Sequence, residues 1–309
     1  MTATLDPIAA LPTSSTASSV PSWRGFMARN PSVVIPAVLL LLIVLTALLG
    51  PFLLPSPTAT DPINRLQPPG GAHLLGTDTY GRDVLSRLVT GGRASLGMAL
   101  LITVCSGFVG TFLGLVSGFF TTAGNIIMRV TDAWMAFPAI VLAMVFSVTL
   151  GPGVLTEVLA IGIIFIPFSA RVLRSRTMEI TSRTFVEAAR VSGMGSWKIL
   201  AVHVLPNVVP LIIVQTIVYI AATMLIDGVL SFLGLGIAAP SPSWGNMISE
   251  GRNYMSVAPY LMIFPGLTLA FTVLLVNMLG TNLRPVFDPQ ARQLKALQRL
   301  RTHGNPFRR

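Results

Sequence analysis

The sequence predicts an all-α, polytopic membrane protein with six transmembrane helices. Of its 309 residues, 52% are hydrophobic and only 10% are charged, whereas a soluble domain carries about 25% charged residues. Six apolar runs have lengths near the roughly 20 residues that a helix needs to cross the hydrocarbon core. The basic residues cluster beside these runs, as is typical of loops that set membrane orientation.

The six runs follow one another along most of the chain. They lie near residues 33–54, 94–120, 133–151, 154–170, 207–228 and 260–283. A stretch rich in Ser, Thr, Ala and Pro, 1–30, precedes them and predicts a disordered tail. Because the first run exceeds the apolar core of a signal peptide, about 7–15 residues, we expect an uncleaved span. Apolar residues continue beyond Gly228, which predicts a short helix or loop at the membrane surface.

Six spans place both chain ends on one side of the membrane. The four segments on that side hold 16 of the 21 basic residues: 1–30, 121–132, 171–206 and 284–309. The positive-inside rule therefore predicts that both termini and the 171–206 loop are cytoplasmic. The exception is the 55–93 segment on the opposite side, where four arginines are partly neutralised by Asp61, Asp78 and Asp83.

No pattern in the sequence predicts catalysis or a bound cofactor. His73, His203 and His303 lie far apart, and Cys105 is the single cysteine, so no metal site or disulfide framework is indicated. The metalloprotease, hydrolase and phosphate-loop motifs are missing from the sequence. The net charge of +10 is explained by membrane orientation, so we expect no nucleic-acid partner.

Few acidic residues fall near the apolar runs. Asp132 precedes the third run, Glu157 begins the fourth and Asp227 ends the fifth. We expect each to cap a helix or pair with an arginine at a boundary. An ion-coupled secondary transporter needs ionisable groups in mid-membrane, so that class stays a remote alternative.

The second run carries glycines at four-residue spacing, at Gly110, Gly114 and Gly118. Small residues at this spacing share one helix face and allow another backbone to approach closely. Packing within the subunit is the favoured interpretation, and packing against a partner subunit is the alternative.

A charged segment, 180–206, interrupts the apolar sequence between the fourth and fifth runs. Good helix formers lead to Gly193, which predicts a stop in the left-handed αL conformation. Ser196 can cap a second short helix that Pro206 ends. Helices this short are marginal alone, so we expect the segment to dock into a groove of a partner. The small residues Ala188, Ala189 and Gly193 should form the docking surface, with Glu187 as a polar anchor at its edge.

Residues 187–206, EAARVSGMGSWKILAVHVLP, resemble the EAA motif of ABC importer permease subunits. The motif positions that match are Glu187, Ala188, Ala189, Gly193, Leu205 and Pro206. His203 stands where the general pattern has Ile, and it is ordinary in the dipeptide, oligopeptide and nickel branch. Asp227, where that branch is expected to have Glu, and Pro285, where it is expected to have Asp, are departures.

Further stretches are similar to the C-type permeases of this branch, so the resemblance covers about residues 24–290. They are HLLGTDTYGRDVLSR at 73–87, DAWMAFP at 132–138, LGPG at 150–153, LSFLGLG at 230–236, PSWG at 242–245 and LRPVFDP at 283–289.

The resemblance implies a type I ABC importer permease fold, the MetI-like fold, in the bacterial cytoplasmic membrane. It implies import of di- and oligopeptides driven by ATP, with nickel-chelate import as the alternative. The implied partners are a B-type permease subunit forming a heterodimer, nucleotide-binding ATPase subunits that hold ATP and Mg, and an extracytoplasmic peptide-binding protein. We expect a tail 1–30, a first span and extracytoplasmic loop 31–93, a permease core 94–283 with coupling segment 180–206, and a basic tail 284–309.

Overall fold

The computed structural model describes residues 31–151, 153–236 and 241–287. This part of the chain is helical and contains no β-strand. The helices are α1 Pro31–Leu53, α2 Val84–Phe119, α3 Thr121–Met135, α4 Ala139–Leu150, α5 Val154–Thr181, α6 Thr184–Val191, α7 Ser196–Ile199, α8 Leu205–Phe232, α9 Trp244–Arg252 and α10 Tyr260–Phe287. A 3₁₀ turn, Pro62–Asn64, precedes α2, and a π-helical turn, Leu200–Val204, joins α7 to α8.

Five of the six predicted spans are confirmed as helices long and apolar enough to cross a membrane. They are α1, α2, α5, the continuous helix Ser196–Phe232 and α10. The second of these begins at Val84, well before its apolar run, because the Asp83 carboxylate caps it and accepts a hydrogen bond from the Ser86 amide at 2.8 Å. Local capping thus lengthens the helix beyond the part that hydropathy predicts.

The third predicted span, 133–151, corresponds to two helices and not to one. The structure has α3 and α4 here, bent by 82° at the break between them. Pro138 lies at the break and restricts the residue before it to extended backbone, which stops α3. The 12 residues of α4 measure only about 18 Å, against a hydrocarbon core of about 30 Å. The bent pair together is the sixth candidate span.

The glycines at four-residue spacing lie where α2 crosses α5. A Cβ added at Gly110, Gly114 or Gly118 would lie less than 3.0 Å from Ser169, Leu173 or Thr177 of α5. The absent side chains let the two backbones approach closely. In this structure the glycine face packs within the subunit.

The arginines of the 55–93 segment include two that are buried and paired. Arg82 Nε donates to Asp78 Oδ2 at 2.6 Å, and Arg87 bonds the same oxygen. Both arginines also reach Glu250 of α9, at 3.3 and 2.9 Å. The two arginines are therefore neutralised by two acids, Asp78 and Glu250. A count of basic residues for the positive-inside rule does not show this pairing.

Beyond Gly228, where a short helix or loop was expected, α8 continues to Phe232 and a turn follows, while residues 237–240 lie outside the described residues. The short helix α9 begins only at Trp244. Trp244 anchors it to α2: the indole Nε1 donates to the Leu88 carbonyl at 2.8 Å, and the Trp244 amide donates to Ser95 Oγ at 3.0 Å. The predicted tail 1–30 and the part of the predicted basic tail beyond Phe287 lie outside the described residues.

Candidate functional site

The candidate site is the EAA segment, residues 184–206, which contains α6, α7 and the π-helical turn. Its first helix ends in a Schellman motif. The Gly193 amide donates to the Arg190 carbonyl at 3.0 Å, and the Met194 amide donates to the Ala189 carbonyl at 3.1 Å. Gly193 has φ +77°, so the predicted left-handed stop is confirmed.

The second half of the segment differs from the prediction. Ser196 begins α7 without capping it, and Pro206 lies inside a continuous helix, Ser196–Phe232. A proline within a helix lacks an amide donor and clashes with the carbonyl four residues before it. The π-helical turn precedes this proline, and in it the Leu205 amide bonds to the Leu200 carbonyl, five residues back. The wider turn lets the helix continue through Pro206.

One face of the EAA segment belongs to the core of the protein. Its buried side chains are Val186, Ala189, Ile199, Leu200 and Val204. They pack in one cluster with Leu115 of α2, Leu173 and Ile180 of α5, and Val208 of α8. Ala189 was expected on the docking surface, but it is buried here together with Val186, because residues three positions apart lie on the same face of a helix. The segment is therefore packed tightly onto the ends of three long helices.

The opposite face of the segment is exposed. Glu187, Ala188 and Gly193 lie on it, and the Glu187 carboxylate makes no ion pair with the described residues. Val191 is 89% exposed and Trp197 is 60% exposed. Sequence reasoning missed these two apolar side chains, although a Val and a Trp between the matched motif residues of a charged segment were a visible signal. The exposed face thus combines one free acid with an apolar surface.

Aromatic and cationic contacts fasten the segment to the end of α2. The Arg190 guanidinium lies 5.3 Å from the centre of the Phe119 ring, and the ring of Trp197 lies 5.1 Å from that of Phe120. His203 and Leu205 are half-buried, and the His203 ring lies 6.4 Å from that of Phe185. His203 therefore packs against an aromatic ring of the segment itself.

The three acids near the apolar runs have different environments. Asp132 accepts a hydrogen bond from Arg171 at 2.5 Å, so the expected arginine pair is confirmed. The same expectation is wrong for Glu157 and Asp227, which are 1% and 2% exposed and lie in contact with one another between α5 and α8. Helix packing brings them together, and no local pattern reveals that. Among the described residues, no group of three or more His, Cys, Asp or Glu could hold a metal ion.

The chain matches two families of membrane transport proteins. The family described as "Binding-protein-dependent transport system inner membrane component" matches residues 108–293, and "N-terminal TM domain of oligopeptide transport permease C" matches residues 22–69. A protein of Brucella abortus biovar 1, named as a peptide transport system permease, is 39% identical over 264 residues, which are 85% of this chain and 89% of that protein. The dipeptide transport system permease protein DppC of Alkalihalophilus pseudofirmus is 35% identical over 278 residues, 88% of this chain and 91% of that protein.

A solved structure has the same fold. The MetNI methionine ABC transporter, in inward-facing conformations, aligns with a TM-score of 0.51 and 18% identity over 65% of this chain and 96% of that one. The likeness confirms the predicted all-α importer-permease fold. The chain thus belongs to the binding-protein-dependent transport system inner membrane components, which are the non-catalytic membrane-spanning subunits of ABC transporters.

Proposed function

We propose that this protein is the C-type permease subunit of an ATP-driven importer of di- and oligopeptides, and that its EAA segment transmits movement from a partner ATPase to the transmembrane helices. The observation that carries the proposal is the two-faced packing of that segment. Val186 and Ala189 are buried in the core on one side of α6, while Glu187 and Val191 are exposed on the other.

This packing makes the segment a mechanical link. Close-packed cores transmit displacement because they have few voids to absorb it. A partner that moves the exposed face therefore also moves the ends of α2, α5 and α8, with which the buried face shares one apolar cluster. Gly193 lies between α6 and α7, so its backbone conformation sets the angle at which the two halves meet the partner.

The exposed face is suited to a groove in a protein partner. Trp197 and Val191 offer apolar area, and such residues commonly anchor interfaces when a polar rim surrounds them. Glu187 and Lys198 lie beside them, exposed, and provide that rim. The partner that fits is a nucleotide-binding ATPase subunit that holds ATP and Mg. In this proposal the partner lies on the cytoplasmic side of the membrane, where both termini of this chain also lie.

The substrate assignment rests on relatives. The names of the two related proteins specify peptide and dipeptide transport, and the match at residues 22–69 is to oligopeptide permease C. A B-type permease subunit and an extracytoplasmic peptide-binding protein complete the proposed importer.

The decisive experiment is reconstitution of the whole importer in liposomes. Uptake of labelled di-, tri- and tetrapeptides and of nickel is measured with ATP inside, and with the permease alone as the control. We expect peptide uptake that requires ATP, the ATPase subunits and the binding protein, and no ATP hydrolysis by the isolated permease. Nickel uptake without peptide uptake would replace the substrate assignment, and ATP hydrolysis by the permease alone would contradict the coupling role.

A further inference from the structure

Two acidic side chains meet inside the helix bundle, Glu157 of α5 and Asp227 of α8. They are 1% and 2% exposed, and their carboxyl groups lie close enough to interact directly. Ser231, one turn further along α8, donates its hydroxyl to Asp227 Oδ1 at 3.3 Å. Neither carboxyl oxygen of Glu157 meets an amide or hydroxyl donor of the described residues.

No positive charge compensates this pair within the described residues. On α9, Glu250 joins the arginine cluster and the Arg252 guanidinium lies 5.0 Å from the centre of the Phe232 ring. Arg93 of α2 and Arg129 of α3 are exposed, and Asp132 of α3 pairs with Arg171.

The described side chains of the remaining helices bring no further charge to the pair. Helix α4 contains no charged residue, and among residues 260–283 of α10 the titratable side chain is that of Tyr260, which donates to the carbonyls of Gln67 and Thr77. Apolar side chains surround the region between α2, α5 and α8: Met98, Ile102, Ala160, Ile161 and Leu230.

The chemistry of carboxyl groups limits how this pair can exist. An ionised carboxylate only accepts hydrogen bonds, whereas a protonated carboxyl group has one O–H donor. Two ionised carboxylates in contact repel one another, and burial removes the water that would stabilise their charges. Glu157 and Asp227 can therefore stay buried side by side only when one of them is protonated and donates its O–H to the other.

The position of the pair gives this proton a structural consequence. Glu157 lies in the first turn of α5 and Asp227 near the end of α8. The EAA segment packs at the opposite ends of the same two helices, where α5 ends and α8 begins. The pair therefore joins α5 to α8 at the ends remote from the segment that receives the proposed movement.

We propose that Glu157 and Asp227 form a proton-binding site, and that the shared proton holds α5 against α8 at the end of the bundle remote from the EAA segment. Loss of the proton leaves two like charges in contact and separates the helices there. The site is occupied at low pH and empties as pH rises. Its effect on uptake rests on the proposed importer function, but the presence of the proton does not.

Infrared spectroscopy of the purified full-length permease in lipid nanodiscs tests the site directly. A protonated carboxyl group gives a carbonyl stretching band that an ionised carboxylate lacks. We expect this band in the native protein at neutral pH, and its loss in Glu157→Gln and in Asp227→Asn. In each variant the new amide donates to the remaining carboxylate, so no shared proton is needed.

Two further variants control for indirect effects. Asp132→Asn removes an exposed acid that is paired with Arg171, and it should leave the band unchanged. Asp227→Glu keeps two acids at the site and should retain the band, which separates loss of the proton from disturbed packing.

Two results would overturn the proposal. One is a band that persists unchanged in both Glu157→Gln and Asp227→Asn. The other is the absence of the band in the native protein, and thermal stabilisation by sodium ions would then identify a cation site instead. Both measurements use the permease without ATPase, binding protein or peptide, so they do not depend on the proposed function. In the reconstituted importer, uptake should fall as pH rises for the native protein and respond less in Glu157→Gln.

Discussion

Replacing Gly193 by valine should uncouple ATP hydrolysis from transport, while the same replacement at Gly195 should not. Gly193 has φ +77° and Gly195 has φ −62°. Among the described residues, no atom beyond the two chain neighbours would lie within 4 Å of a Cβ at either position. Both variants therefore add the same bulk to the same exposed segment, and only the first forces a branched side chain into the left-handed region.

The size of the effect follows from this backbone conformation. A non-glycine residue in the left-handed region costs about 1–2 kcal/mol, and no steric clash within the subunit adds to that cost. This free energy corresponds to a factor of about 5–30 in a local equilibrium. The two hydrogen bonds that end α6, donated by the amides at 193 and 194, should therefore open about 5–30 times more often. At Gly195, an ordinary backbone conformation predicts a change within about 0.5 kcal/mol.

Two assays on the complete importer read out these consequences. Hydrogen–deuterium exchange of the peptide covering residues 186–196 measures local opening, and peptide uptake per ATP hydrolysed measures coupling. We expect faster exchange and a lower uptake ratio in Gly193→Val, with near-native values in Gly195→Val. Equal loss of coupling in both variants would show that bulk at the partner contact is what matters, and would refute the argument from backbone angle.

Three further predictions concern the coupling surface, the helix packing and the orientation. Glu187→Lys should insert normally but copurify with less ATPase subunit, because it reverses the free charge on the exposed face of α6; native copurification and uptake would contradict the coupling role. Gly114→Leu should reduce the folded yield, since its Cβ would lie 2.6 Å from that of Leu173, whereas Gly107→Leu, with open space around its Cβ, should be tolerated; equal yields would contradict the packing argument. With the native cysteine replaced by serine, an impermeant thiol reagent should label Ile63→Cys, at a site 92% exposed, and not Ser182→Cys in intact cells; the reverse pattern would invert the orientation.

The two-faced EAA segment also predicts how variants will divide between folding and coupling. Val186 and Ile199 are buried in the cluster that joins the segment to α2, α5 and α8, so truncating them should lower stability as core truncations do, by about 2–5 kcal/mol for Ile→Ala. Substitutions at Val191, which is 89% exposed, should spare the fold and weaken association instead.

Local features of the sequence determined the number and approximate position of the spans. A run of about 20 apolar residues crosses the hydrocarbon core because of its length and composition alone, and five of the six predicted runs are long helices in the structure. Gly193 was also predictable, because a stop in the left-handed conformation depends on the residue's own backbone freedom. The EAA motif located the candidate site, because all of its residues lie within one stretch of the sequence, 187–206.

Only the tertiary structure decided which side chains face one another. Ala189 is buried and Ala188 is exposed, although both are small motif residues, because the packing of α6 on α2, α5 and α8 selects the inward face. Pro206 does not end a helix, since a π-helical turn before it removes the clash that would have stopped it. Glu157 and Asp227 lie 70 positions apart in the sequence, and they meet because α5 and α8 pack with those faces together. Such contacts depend on the rotation and crossing of whole helices, which no single stretch of sequence specifies.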